Sequence, residues 1–147
     1  MIKFAKAEDA PQIAALNYQA NLENEFPFTA DFDKTLVALL KGVLEEVVLV
    51  KRNDSNPKLI DGVVCAKIDS VWWSSDPLLY AYFMYTKPEV RSFKLSRALI
   101  LAAQEYAIIN KIPLVFDLFA QKDVEKKKKL FKYLGFKEVG SLFCFNL

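Results

Sequence analysis

Residues 78–100 read LLYAYFMYTKPEVRSFKLSRALI. Leu78 to Thr86 is almost wholly apolar or aromatic, the pattern of a central strand buried on both faces. Pro88 blocks further ladder pairing. From Arg91 to Asn110, the residues Leu95, Leu99, Ala102, Ala103 and Tyr106 recur at helical spacing, which predicts a long amphipathic helix. Pro113 to Phe119 then reads as a second buried strand, so Leu78–Phe119 predicts a parallel βαβ crossover. The first amides of a helix have no intrahelical acceptor and lie at the positive end of its dipole, so this turn suits an anion. Arg91, Lys94 and Arg97 add positive charge at the same end. A βα turn with basic residues on a solvated face fits the same residues equally well.

Upstream, Ile2 to Ala5 alternates as a short strand. Asp9, Pro11 and Gln12 form a helix start with Asp9 as cap, and Ile13, Leu16 and Ala20 continue the helix. Asn21 to Phe28 reads as a polar, aromatic connection. A second helix is expected from Asp31 to Lys41, stopped at Gly42. Strands at Glu46–Lys51 and Leu59–Ser70 flank the turn residues Asn53 to Pro57, which predicts an antiparallel hairpin. Trp72 and Trp73 fall in the loop that follows, and they suit a binding surface and a cap on the core equally well. Downstream, Asp123–Leu134 reads as a helix and Phe136–Phe145 as a last strand or pair. The order β-α-α-β-β-β-α-β-α-β places the chain in the α/β (α+β) class, with a mixed, partly antiparallel sheet flanked by helices.

The chain has 147 residues, 53% of them hydrophobic and twelve of them Phe. That is one domain in size, residues 1–147, able to bury roughly 68–70% of its unfolded surface. No apolar run approaches the roughly 20 residues that span a bilayer, and no leader pattern opens the sequence, so a cytoplasmic location is expected. There is no histidine. That excludes Ser-His-Asp and Cys-His catalysis and leaves no His/Cys cluster for a metal. Cys65 and Cys144, each in an apolar segment, read as buried thiols. Residues 1–86 carry 8 Lys+Arg against 12 Asp+Glu, and residues 87–147 carry 12 against 6. A net charge of +2 does not favour general nucleic-acid binding. The run Lys126 to Lys129 reads as the solvated face of an amphipathic helix. Leu142–Phe145 is apolar enough to pair across a homodimer edge.

The element order, the string Arg91-Ser-Phe-Lys94-Leu-Ser96 after Pro88, and the later stretch Leu130 to Phe136 together resemble the GNAT-type N-acetyltransferase superfamily, including its compact bacteriophage-encoded members. The resemblance covers the whole chain in element order, but the sharp matches lie in residues 85–99 and 130–137. It implies acetyl-CoA or another acyl-CoA as co-substrate and an amine as acceptor, a cationic one given the acidic first half. The pyrophosphate would lie on the amides of Ser92, Phe93, Lys94, Leu95 and Ser96, with Arg91 and Arg97 alongside. The pantetheine would pair with Met84, Tyr85 and Thr86 like an added strand.

Three positions depart from the family's pattern. Lys94 stands where the family has glycine, so a Cβ crowds the phosphate loop. No carboxylate lies on Leu78–Thr86, which leaves Asp69, Asp76 and above all Asp117 as candidate bases. Phe131 replaces the tyrosine that serves as general acid, leaving Tyr82 and Tyr133 as candidate hydroxyls beside Tyr80 and Tyr85. The sequence thus implies an N-acyltransferase with an atypical site; the alternative is a catalytically inactive binding or assembly protein on the same fold.

Overall fold

The computed structural model describes residues 1–26, 28–118, 122–140 and 143. Its elements are β1 (Ile2–Phe4), α1 (Ala10–Asn24), α2 (Phe32–Glu45), β2 (Val47–Arg52), β3 (Ile60–Asp69), β4 (Leu78–Thr86), α3 (Phe93–Asn110), β5 (Leu114–Phe116) and α4 (Val124–Tyr133). The five strands form one sheet in the order β1-β2-β3-β4-β5. Pairing is antiparallel from β1 to β4 and parallel between β4 and β5. That is the mixed sheet and crossover expected from the sequence.

The two faces of the sheet bury two clusters. One holds Ile13, Ala14 and Leu16 of α1, Leu39 of α2, and Val48, Val50, Val63, Cys65 and Tyr85 from the sheet. The other packs Leu99 and Ala107 of α3 on Val47, Leu49, Val64, Ala66, Leu79 and Ala81. Alternate residues of β2 and β3 thus serve opposite layers, which is why both strands read as continuous apolar runs.

Local chemistry departs from expectation at five places. Asp9 precedes α1 without capping it. Its buried carboxylate instead accepts from the Lys6 amide and from both terminal nitrogens of Arg52, while Gln12 bridges to Lys58 and Ile60. Helix α1 also runs on through Asn21 to Asn24, where a connection was expected. Its last turn is polar and carries no apolar stripe to signal it.

Helix α2 starts as expected, with Asp31 accepting from the Lys34 amide, but it passes through Gly42 to Glu45. Gly42 is there for proximity, not termination: a Cβ would stand 3.1 Å from Glu46 Oε2 and 3.7 Å from the Tyr82 hydroxyl. At the other end of the chain, β5 stops at Phe116, and residues 136–140 form no strand. The expected dimer edge Leu142–Phe145 lies outside the described residues, Phe143 apart.

Candidate active site

The decisive local event is in β4. Against β3, Cys65 is opposite Phe83 and the next residue, Ala66, is opposite Ala81. Tyr82 is therefore the extra residue of a β-bulge. A bulge bends its strand and breaks the side-chain alternation. It puts Tyr80, Tyr82, Phe83 and Tyr85 on one face, with Tyr80 and Tyr82 ring centroids 6.4 Å apart and Phe83 and Tyr85 stacked at 6.5 Å. The parallel ladder to β5 ends at the same point, with Ala81 paired to Phe116 and the Asp117 amide donating to Ala81 O. Beyond it, Phe83 to Thr86 remain paired with β3, and no strand among the described residues takes the other edge of Tyr82 to Thr86.

This open edge leads into the start of α3. Ser92 is the N-cap, and its hydroxyl accepts from the Leu95 amide at 3.1 Å. The amides of Phe93 and Lys94, in the first turn, have no acceptor within the helix. Lys94 and Arg97 are exposed there, Leu95 and Ser96 are half-buried, and Met84 packs toward the α3 layer. Lys94 is not among the positive-φ residues, so its backbone does not require glycine.

Arg91 is held by neighbours on two other elements. Its guanidinium forms a bidentate pair with Glu23 at 2.9 and 3.0 Å and donates to Thr86 O at 2.7 Å. It also lies 5.2 Å from the Tyr85 ring centroid. Arg91 therefore ties the end of α1 to the end of β4. Its hydrogen bond and charge hold the Glu23 carboxyl below the usual carboxylate range. Burial pushes the Tyr85 hydroxyl up to about 12, with the Glu23 charge adding to it. Lys127 of α4 is half-buried rather than fully solvated; burial and the Arg91 charge lower its pKa.

The candidate proton-transfer groups separate. Asp117 Oδ2 accepts from the Tyr80 hydroxyl at 2.7 Å, and burial, then Asp117, raise Tyr80 to about 12. The Tyr82 hydroxyl donates to Glu46 Oε2 at 2.7 Å and is raised above its ordinary range, by burial first. These two tyrosine–carboxylate pairs lie side by side where β5 leaves β4. Tyr133 is elsewhere: 71% exposed, it packs edge-on against Phe93 at the α3 start. Phe131 is built into an aromatic group with Phe116 and Phe136, at 5.0 and 5.2 Å. Asp69 is paired with Lys67, and Asp76 is exposed in the β3–β4 loop. Trp72 and Trp73, 92% and 70% exposed, do not cap the core.

Sequence reasoning missed Glu46. It follows α2 and its partner is 36 residues away, so no local pattern reveals it. Gly42, the residue whose missing side chain admits the pair, was the available signal.

Neither a family model nor a curated protein matches the sequence. Solved structures do match the fold. The aminoglycoside N-acetyltransferase AAC(6')-Iy in complex with CoA superposes with a TM-score of 0.75 at 16% identity, over 99% of this chain and 92% of that one. The same enzyme with the bisubstrate analogue CoA-S-monomethyl-acetylneamine gives 0.74 at 18%, over 99% and 95%. A mutant of the BH1408 protein from Bacillus halodurans gives 0.79 at 15%, over 100% and 99%. At these identities the likeness is one of fold: the mixed sheet and its helices are arranged as in the GNAT-type acetyltransferases.

Proposed function

We propose that this chain is an acyl-CoA-dependent N-acyltransferase, with acetyl-CoA as the favoured co-substrate and an amine as acceptor. The observation that carries this reading is the continuity of two backbone surfaces with no partner among the described residues: the edge of β4 from Tyr82 to Thr86, then the first-turn amides of α3. An extended chain with amide groups adds to a strand edge, and a pyrophosphate suits a helix start. A pantetheine diphosphate has those two parts in that order. Met84, Tyr85 and Thr86 would supply the strand edge; Ser92, Phe93, Lys94, Leu95 and Ser96 would supply the phosphate loop, with Lys94 and Arg97 as its cations. Arg91 would act indirectly, by fixing Thr86. The fold shared with a CoA-bound acetyltransferase supports the same assignment.

Group transfer asks little of such a site beyond position. Direct attack of an unprotonated amine on a thioester is accelerated mainly by holding the two together and by a backbone donor at the developing oxyanion. Phe131, with no proton to give, is compatible with that chemistry when the departing thiolate is protonated otherwise.

Thermal shift with acetyl-CoA, CoA and desulfo-CoA tests the reading. A hundredfold excess over Kd should add about 2.7 kcal/mol of stability. No response at millimolar acetyl-CoA would overturn it. Binding without turnover of any primary amine would instead establish the inactive binding protein on this fold.

A further inference from the structure

Resting on that reading, we infer that Glu46, acting through the Tyr82 hydroxyl, takes the proton from the ammonium form of the acceptor before it attacks the thioester. The family pattern puts a base on β4 itself, and β4 has no carboxylate. The structure brings one in from the end of α2. Glu46 Oε2 accepts a hydrogen bond from the Tyr82 hydroxyl at 2.7 Å. Tyr82 is the bulge residue at the point where β4 and β5 part. A phenol whose single proton is committed to a carboxylate keeps its lone pairs for another donor. An ammonium arriving at the open edge would donate to that oxygen.

Local design favours this pair. Gly42 keeps the space beside it open: a Cβ there would press on Glu46 Oε2 at 3.1 Å and touch the Tyr82 hydroxyl at an ordinary 3.7 Å. Cys65 of β3 lies on the same face of the sheet and is fully buried; burial, and then the Glu46 charge, push its thiol up to about 12. Tyr80, with Asp117 hydrogen-bonded to it, is the neighbour on the β5 side. The raised Tyr80, Tyr82 and Cys65 groups thus keep their own protons at neutral pH.

The step balances. The ammonium gives one proton to the Tyr82 oxygen as the Tyr82 proton passes to Glu46. The free amine then forms the N–C bond at the thioester carbonyl. As the C–S bond breaks, the second nitrogen proton goes with the leaving group, giving amide and CoA thiol. Glu46 then returns its proton to solvent.

The test compares wild type, Glu46→Gln and Tyr82→Phe over pH 6–9.5, with acetyl-CoA and whichever of 1,4-diaminobutane, spermidine or N-α-acetyllysine the wild type acetylates. General-base catalysis contributes about 10²–10⁴-fold. Glu46→Gln should thus lower kcat at pH 7 by about 10². Its rate should then climb tenfold per pH unit toward wild type, as solution supplies free amine. Tyr82→Phe should behave likewise, and acetyl-CoA should protect both variants against heat as it protects wild type. A Glu46→Gln profile parallel to wild type would overturn the inference while leaving the acyltransferase reading intact. If wild type itself neither binds acetyl-CoA nor acetylates any of these amines, the underlying reading fails and this one with it.

Discussion

Replacing Arg91 by Met should loosen the fold more than it weakens a phosphate contact. The Glu23–Arg91 pair is bidentate, with side chains 28% and 40% exposed. Ion pairs this exposed are worth up to about 1 kcal/mol, and bidentate geometry puts this one at the upper end. Arg91 also donates to Thr86 O, and losing that bond costs about 1 kcal/mol more. Arg91→Met should therefore destabilise by about 2 kcal/mol, or roughly 6 °C in Tm for a chain of this length. Glu23→Gln should cost about 1 kcal/mol, and a double-mutant cycle should return a coupling of about 1 kcal/mol.

The pH dependence follows from the depressed Glu23 carboxyl. A folded-state pKa below the unfolded one stabilises fully above the ordinary carboxylate range and is lost as pH falls through the lowered value. Wild type should therefore lose this contribution in acid, and Glu23→Gln should lack that part of the slope. Denaturant melts at pH 7 and at successively lower pH measure both effects. The reasoning is refuted if Arg91→Met melts within about 1 °C of wild type while binding acetyl-CoA more than about tenfold weaker. Arg91 would then be a phosphate ligand.

Three further outcomes are expected. Gly62→Ala places a Cβ 2.9 Å from Leu99 Cδ1 and 3.1 Å from Thr86 Cγ2; overpacking of about 1–3 kcal/mol should appear in denaturant melts, with weaker acetyl-CoA binding because Thr86 and α3 must shift. Ser92→Ala removes the acceptor of the Leu95 amide and should cost about 1 kcal/mol by the same assay. Asp9→Ala leaves Arg52 and the Lys6 amide without their carboxylate, so it should destabilise by about 3 kcal/mol without changing acetyl-CoA affinity in the material that remains folded.

The β4–α3 unit was legible because its two signals are local and strong: a nine-residue apolar strand and a helix with a repeated buried stripe. The bulge at Tyr82 was not. A strand apolar on both faces shows no alternation, so a one-residue change of phase leaves no trace in the sequence. Gly42 was misread as a stop because glycine serves both helix ends and close approaches, and only the nonlocal contact with Tyr82 distinguishes them. Arg91 was assigned to phosphate for its position after Pro88; its partner Glu23 lies in the polar turn of α1 that was taken for a loop. Asp117, Tyr82 and Tyr133 were chosen as chemistry-bearing residues, but which groups each one meets depends on the fold: Tyr82 meets Glu46, Asp117 meets Tyr80, and Tyr133 packs on Phe93.

Amide hydrogen exchange with and without acetyl-CoA tests the central claim most directly. New protection is expected only along the Tyr82–Thr86 edge and at the Phe93 and Lys94 amides, with CoA protecting the same set. Acetyl-CoA bound at saturation with no added protection at either place, or with protection centred on another surface, would contradict it.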